Sequence, residues 1–223
     1  MSASDWPRAA RRHPSAMLLF GQLLGVLLYP FMDASPTGRA ALSLFSLLVL
    51  VLAVWTVRST PALTRVSIVV GVPVVILTVL EATFPANLAI VFWSSALHAA
   101  FYFYTTYALL RYMFRDERVT RDELFAIGAT FTVVAWAFAY LYVACQALLP
   151  GSFTGAVDPA SPRTWVELLF VSFTSLTSTG LSDVVPVRPH ARSLVMIEMV
   201  VGLMYVALVI SRLVGLSLDR RRP

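Results

Sequence analysis

The sequence predicts an all-α membrane protein that crosses the bilayer six times and carries one further short helix that enters the bilayer without crossing it. Three observations lead to this prediction: the composition, the lengths of the apolar runs and the distribution of the basic residues. Of the 223 residues, 58% are hydrophobic and 13% are charged. Soluble domains are about 45–50% apolar and about 25% charged, so this chain has too little polar surface to cover itself in water.

The apolar runs give the six spans in order along the chain. About 20 consecutive apolar residues cross the hydrocarbon core, and five runs reach this length or nearly do. A sixth run is interrupted by Glu198 and Arg212 but is otherwise strongly apolar. The predicted spans are residues 16–32, 40–57, 66–80 (extendable to 84), 88–110, 124–149 and 193–216.

Residues 150–192, between the last two spans, are too numerous for a turn and too apolar for a solvated loop. We expect a helix at 163–177 within them, with Ser161-Pro162 as its cap and first turn. This helix is too short to cross the membrane. Residues 172–187, which overlap its end, hold the densest concentration of serine and threonine in the chain.

The arginines orient the spans. All 17 basic residues are arginine, and cytoplasmic loops carry an excess of basic residues. If the N-terminus is cytoplasmic, most arginines fall inside, and both termini are expected there. This distribution also accounts for the net charge of +5 without a nucleic-acid partner. The arginines left outside are Arg39, Arg163, Arg188 and Arg192.

The sequence lacks the residues that several other classes of protein need for their function. A single cysteine, Cys145, excludes an intrachain disulfide and a CxxC site. The three histidines lie far apart, and no paired carboxylates or nucleophile–base set suggests an enzyme. A secondary transporter would be expected to show internal repeats or matched broken helices. We therefore expect neither an enzyme nor a bound cofactor.

The hydroxyl-rich stretch indicates an ion pathway. Non-helical backbone at membrane depth is tolerated only where it is buried in protein or lines a wet cavity. The C-terminus of a half-helix carries partial negative charge, which favours a cation. Hydroxyls and carbonyls presented along an axis are the ligands of an ion filter.

The last two spans and the segment between them resemble the pore module of potassium channels of the tetrameric cation channel superfamily. The filter of that family reads Thr-Val-Gly-Tyr-Gly-Asp, commonly preceded by Thr-Leu-Thr and followed by an aliphatic pair and proline. Here Ser175-Leu176-Thr177 precede the filter and Val184-Val185-Pro186 follow it. The six filter positions are taken in turn by Ser178, Thr179, Gly180, Leu181, Ser182 and Asp183.

The resemblance covers about 95 residues, 124–218. It implies a homotetramer around one axial pore, with 124–149 as the outer helix and 193–216 lining the inner cavity. It also implies that K⁺ sheds its water onto Ser178 Oγ and the carbonyls of Ser178, Thr179 and Gly180, while Asp183 concentrates cations at the outer mouth. The first four spans resemble the peripheral domain of six-helix channels only in number and topology.

The filter departs from the family at its outer end. Ser182 replaces a glycine, which costs on the order of 1–2 kcal/mol if the left-handed backbone is kept; otherwise the outermost carbonyls point elsewhere. Leu181 lacks the tyrosine hydroxyl, and Phe170-Val171 replace the tryptophan pair that this hydroxyl would meet. We expect Leu181 to pack against Phe170 instead. Cation conduction is thus expected, with strict K⁺ selectivity left open.

Glu167 and Glu198, together with Phe170, are expected to support the pore, and Gly202 is a possible hinge. Glu167 is predicted to stabilise the N-terminus of the short helix, with a role in the outer vestibule as the alternative. Glu198 is either structural, paired with Arg192 or protonated behind the filter, or it coordinates ions. Gly202 is either a gating hinge or a site of close helix packing.

These observations lead to one functional hypothesis. No charge lies between Glu81 and Arg111, so the fourth span is not expected to sense voltage. We predict a voltage-insensitive, potassium-conducting channel in a plasma membrane, by association a bacterial inner membrane; a non-selective cation channel or a non-conducting subunit is the alternative. The predicted parts are a cytoplasmic segment 1–14, a peripheral four-helix domain 15–113, a linker 114–123, a pore domain 124–218 and a basic tail 219–223.

Overall fold

Helices make up almost all of the chain that the structure, a computed structural model, describes. It describes residues 13–32, 45, 48–56, 61–114 and 120–219, without the side chains of residues 30, 32, 61–68 and 215–219. Residues 48–56 are helical, and two short strands are β1 (Phe153–Gly155) and β2 (Val184–Pro186). The further helices are α1 (Pro14–Met32), α2 (Pro61–Thr83), α3 (Leu88–Met113), α4 (Arg121–Leu148), α5 (Trp165–Leu176) and α6 (Pro189–Asp219).

Three helices in the described part of the chain are long and apolar enough to cross a bilayer. They are α3, α4 and the portion Pro189–Val214 of α6, which match the fourth, fifth and sixth predicted spans. The helix α5 has 12 residues and is too short to cross, as expected. Shorter apolar stretches occur at Pro14–Tyr29 and Val69–Thr83. The membrane character is confirmed, whereas the number of six spans stays a prediction, since much of 40–57 lies outside the described residues.

The chain forms two compact units. The first contains the residues up to Val75 together with Tyr104–Val133. Within it, both the backbone N–H and the hydroxyl of Ser15 donate to the buried Asp122 carboxylate, at 3.2 and 2.9 Å. The Thr132 hydroxyl donates to Gln22 Oε1 at 2.6 Å. These bonds hold α1 against α4 through polar groups that the low-dielectric surroundings make strong.

The second unit contains Ile76–Phe103 and the chain from Val134 onward. A stack of aromatic rings runs through it, with His98 lying parallel to Tyr140 at a centroid distance of 4.3 Å. His98 is buried, and its ring nitrogens contact the Ser94 carbonyl at 2.9 Å and the Thr78 hydroxyl at 3.3 Å. His98 is therefore a satisfied polar group between helices. The stack continues through Trp165, the first residue of α5, which lies 5.3 Å from Tyr140.

The two strands pair antiparallel on either side of α5 in the sequence. Thr154 lies opposite Val185, and Gly155 lies opposite Val184. One further bond extends the pairing, from the N–H of Ala156 to the carbonyl of Asp183 at 3.2 Å. The pairing therefore joins the loop before α5 to the chain that follows the predicted filter.

Candidate functional site

The short helix α5 begins two residues later than expected. Its N-cap is Thr164, whose hydroxyl accepts the Glu167 N–H at 3.3 Å. The Glu167 carboxylate accepts the Thr164 N–H at 2.6 Å, which completes a capping box. The expected cap at Ser161-Pro162 is wrong, because Thr164 with Glu167 satisfies two backbone donors at once. The expected stabilisation of this helix end by Glu167 agrees with this geometry.

Arg163 fixes the loop that leads into α5, a role that the sequence reasoning missed. Its guanidinium is buried and donates to the carbonyls of Val157, Asp158 and Ser161, at 3.0 Å or less. It also contacts Glu167 at 3.3 Å. The spacing of four residues between this arginine and Glu167, at the start of a helix, could have predicted the ion pair. One cation thus ties the loop to the first turn of the helix.

The C-terminal end of α5 is closed by a Schellman motif. The Ser178 N–H donates to the Ser175 carbonyl at 2.9 Å, and the Thr179 N–H donates to the Thr174 carbonyl at 2.9 Å. Ser178 has a φ of 57°, the left-handed position that glycine usually takes at such a cap. The Gly180 N–H also donates to the Thr174 carbonyl, at 3.1 Å. The predicted filter therefore leaves the helix through a defined turn.

The predicted filter is held at both ends and is largely exposed between them. Thr177 hydrogen-bonds back to the Phe173 carbonyl at 2.7 Å, and Asp183 is anchored through its carbonyl by Ala156. The residues between these two points are exposed within the chain, except for the half-buried Ser182. Among the described residues, none donates a hydrogen bond to the carbonyls of Ser178 or Thr179, whereas the Gly180 carbonyl accepts the Ser182 N–H at 3.1 Å.

The left-handed positions differ partly from the expectation. Gly180 has a φ of 66°, as the resemblance to the family implied. Ser182 does not have a positive φ, so the strain expected for a left-handed serine at this position is absent. Ser178, four residues earlier, has the positive φ instead. The Ser182 hydroxyl accepts the Val184 N–H at 3.1 Å. Ser182 therefore caps the start of β2 and does not extend a left-handed strand.

The expected packing of Leu181 against Phe170 is wrong within one chain. The side chain of Leu181 is 77% exposed, and that of Phe170 is 48% exposed. A braced pair would bury most of both side chains. The described residues therefore leave most of the Leu181 side chain uncovered.

Glu198 joins α6 to two other helices behind the predicted filter. It is fully buried and hydrogen-bonds the Tyr142 hydroxyl of α4 and the Ser172 hydroxyl of α5. The suggested pair with Arg192 is wrong, because Arg192 is exposed and its Nε donates to the Pro186 carbonyl at 3.3 Å. A buried charge without a partner is costly, so the structural alternative is favoured.

Gly202 lies one turn after Glu198 and faces the end of α5. A β-carbon at this position would lie 2.0 Å from the Leu176 carbonyl oxygen. No side chain fits in this contact, so glycine is needed for the two backbones to approach. This geometry favours the close-packing alternative for Gly202.

Comparison with protein families gives a match to an ion channel family over residues 128–216. Neither the curated proteins nor the solved structures gave a significant match. The matched range contains most of α4, all of α5, the predicted filter and most of α6. The chain therefore carries an ion channel domain, as its resemblance to potassium channels implied. The match and the apolar helices together support a membrane protein with a passive ion channel function.

Gly202→Ala is expected to lower the free energy of unfolding by about 1–3 kcal/mol, as overpacking of a buried contact does. Thermal unfolding of the purified protein in detergent measures this loss. Gly128→Ala is the matched control, because a β-carbon there meets only the movable end of Leu19, at 2.9 Å. Equal stability of the two variants would contradict a packing role for Gly202.

Proposed function

We propose that four copies of this chain form a voltage-insensitive channel that conducts potassium. The observation that carries the proposal is the exposed segment from Thr177 to Asp183, which leaves a capped half-helix inside the ion channel domain. This segment offers hydroxyls and unengaged carbonyls where irregular backbone must line a wet cavity. Such oxygens replace the hydration shell of a dehydrating cation.

The ion ligands that we propose are oxygen atoms of three consecutive residues. Ser178 contributes its hydroxyl and its carbonyl, and Thr179 contributes its carbonyl. Gly180 contributes its carbonyl after release of the Ser182 N–H, because that bond turns the oxygen towards its own chain. Asp183 is exposed and attracts cations to the outer mouth. Conduction needs more than one bound ion, so that repulsion between ions offsets their binding.

The tetrameric assembly is supported by the apolar surface of α6. In its most apolar stretch only 17% of the residues are buried within the chain. The exposed side chains include Met196, Val200 and Leu203, which are spread over successive turns. Lipid, the inner cavity and further copies of the chain would cover this surface. Copies around one axis would also supply the missing cover for Leu181.

The proposed lack of voltage gating rests on α3. Each charge that moves through the membrane field contributes about 2.3 kcal/mol per 100 mV. The helix α3 carries no charged residue before Arg111, in its last turn. The helix α3 therefore carries almost no charge that the membrane field could move.

We place the channel in the plasma membrane, of a bacterium by association, with both termini on the cytoplasmic side. The arginine distribution supports this orientation through the positive-inside rule.

A non-selective cation channel is the second candidate, and one observation favours it. Leu181 is exposed and Ser182 is committed to capping β2, so the outer end of the filter lacks a brace within the chain. Loose outer sites would still bind cations but would discriminate less between K⁺ and Na⁺. Ion flux into liposomes under matched K⁺ and Na⁺ gradients separates the two candidates. Flux with K⁺ alone supports the first, equal flux supports the second, and no flux from tetrameric protein supports a non-conducting subunit.

Gly180→Ala is expected to abolish flux in the liposome assay. An alanine at a φ of 66° costs about 1–2 kcal/mol, and relief of this strain turns the filter carbonyls. Gly151→Ala is the matched control, since Gly151 has a φ of 75° and, like Gly180, has open space where a β-carbon would lie. It lies outside the filter, so its variant should conduct. Intact selective flux through Gly180→Ala would contradict the assignment of the filter.

The double substitution Leu181→Tyr with Ser182→Gly is expected to raise the permeability of K⁺ relative to Na⁺. Glycine restores backbone freedom at the outer end of the filter, and the tyrosine hydroxyl adds a hydrogen-bonding group there. Reversal potentials under two-ion conditions measure the ratio. An unchanged ratio would show that selectivity is set elsewhere in the pore.

A further inference from the structure

Oxygen atoms from three helices form an unbroken chain behind the predicted filter. The Tyr142 hydroxyl contacts Glu198 Oε2, and Glu198 Oε1 contacts the Ser172 hydroxyl. Ser172 Oγ in turn lies 2.8 Å from the carbonyl oxygen of Ala135. All four residues are fully buried. The chain therefore begins and ends on α4 and passes through α6 and α5.

The number of hydrogen atoms decides the charge of Glu198. A serine hydroxyl has one hydrogen to donate, yet Ser172 Oγ contacts two oxygen atoms. The Ala135 carbonyl can only accept, so it takes the Ser172 hydrogen. The contact between Ser172 and Glu198 then needs a hydrogen on Glu198. With an ionised Glu198, one of the two close oxygen pairs would hold no hydrogen and would repel.

A protonated Glu198 gives every bond one hydrogen. Tyr142 donates to Oε2, the protonated Oε1 donates to Ser172, and Ser172 donates to Ala135. All three bonds then run in the same direction, an arrangement in which neighbouring bonds strengthen each other.

The surroundings of Glu198 also disfavour a charge. Ion pairs in the described part of the chain are His13–Asp122 and Arg163–Glu167, and neither involves Glu198. The groups that face it are Tyr142 from α4 and Ser172 from α5, and Cys145 of α4 interacts with Tyr142. Placing an unpaired carboxylate in such surroundings costs several kcal/mol.

Glu198 and Gly202 together fix how α5 lies on α6. Glu198 meets Ser172, and Gly202 meets Leu176 one turn later on both helices. These two contacts set both the register and the distance of the helices. The predicted filter begins two residues after Leu176, at Ser178, so its starting point depends on them.

We propose that Glu198 holds its proton at neutral pH and acts as a positioning residue, which sets α5, and with it the start of the filter, against α4 and α6. The importance of Glu198 for the filter rests on the proposed function, whereas the protonation of Glu198 does not depend on it. Loss of the proton at alkaline pH removes the donor to Ser172 and places a charge between three helices. The contact between α5 and α6 is then expected to weaken.

Infrared spectroscopy of the purified full chain tests for the proton directly. At neutral pH we expect a C=O stretching band of a protonated carboxyl that is lost in Glu198→Gln. Glu167→Gln is the matched control, since it removes a carboxyl that pairs with Arg163, and it should leave the band in place. Tyr142→Phe should keep the band but move it to higher frequency, because one donor to Oε2 is lost. Loss of a carboxylate band in Glu198→Gln, with no protonated band in the wild type, would overturn the proposal.

Thermal unfolding across pH tests the positioning role. The unfolding temperature of the wild type should fall as the pH rises from mildly acidic values, where the unfolded chain already releases the Glu198 proton, and should level off once the folded chain releases it too. That of Glu198→Gln should not follow, because glutamine is neutral and both donates and accepts. Equal pH profiles of the two proteins would overturn this role. Neither readout depends on conduction, so a silent channel with an intact band would contradict the proposed function alone.

Discussion

The close approach of α6 to the last carbonyl of α5 is the contact on which the rest of the ion channel domain depends. A half-helix that does not cross the membrane ends with carbonyl groups at membrane depth, and each must find a partner or face water. The chain meets this demand with amides of the following turn and with a glycine backbone that leaves no side chain in between. Any larger residue would push the helices apart and move every atom that follows Leu176.

The outer side of the domain is organised by polar groups, whereas the inner contact depends on the lack of a side chain. Gln146 bonds both the N–H and the carbonyl of Arg163, at 3.1 and 2.6 Å. Arg163 gathers the loop carbonyls, and the capping box of Thr164 and Glu167 starts α5. The exposed segment between the two ends is therefore shaped by its attachments. This explains how a filter with only one of the two glycines of the family can still form a defined turn.

Much of the architecture could be predicted from the sequence, because bilayer thickness and hydrogen-bond satisfaction leave few choices. The helix α5 and the left-handed Gly180 followed from spacing and from one family pattern. The partners of Glu198 could not be predicted, since they depend on which faces of three helices meet. Arg192 was nearer along the chain, yet Tyr142, 56 positions away, is nearer in space.

The same limit applies to the serines and to Leu181. Ser178 and Ser182 are the same residue type in different backbone positions. Ser178 ends a helix and has a left-handed backbone, whereas Ser182 precedes a strand and does not. Periodicity does not report such differences. Leu181 was predicted to pack against Phe170, but its side chain is 77% exposed within the chain.

The bond between Ala156 and Asp183 couples the loop before α5 mechanically to the outer end of the predicted filter. Val157, next to Ala156, is 79% exposed. A displacement of this loop must either break the 3.2 Å bond or carry the Asp183 backbone with it. Events at this exposed surface can in this way reach Asp183, at the outer end of the predicted filter.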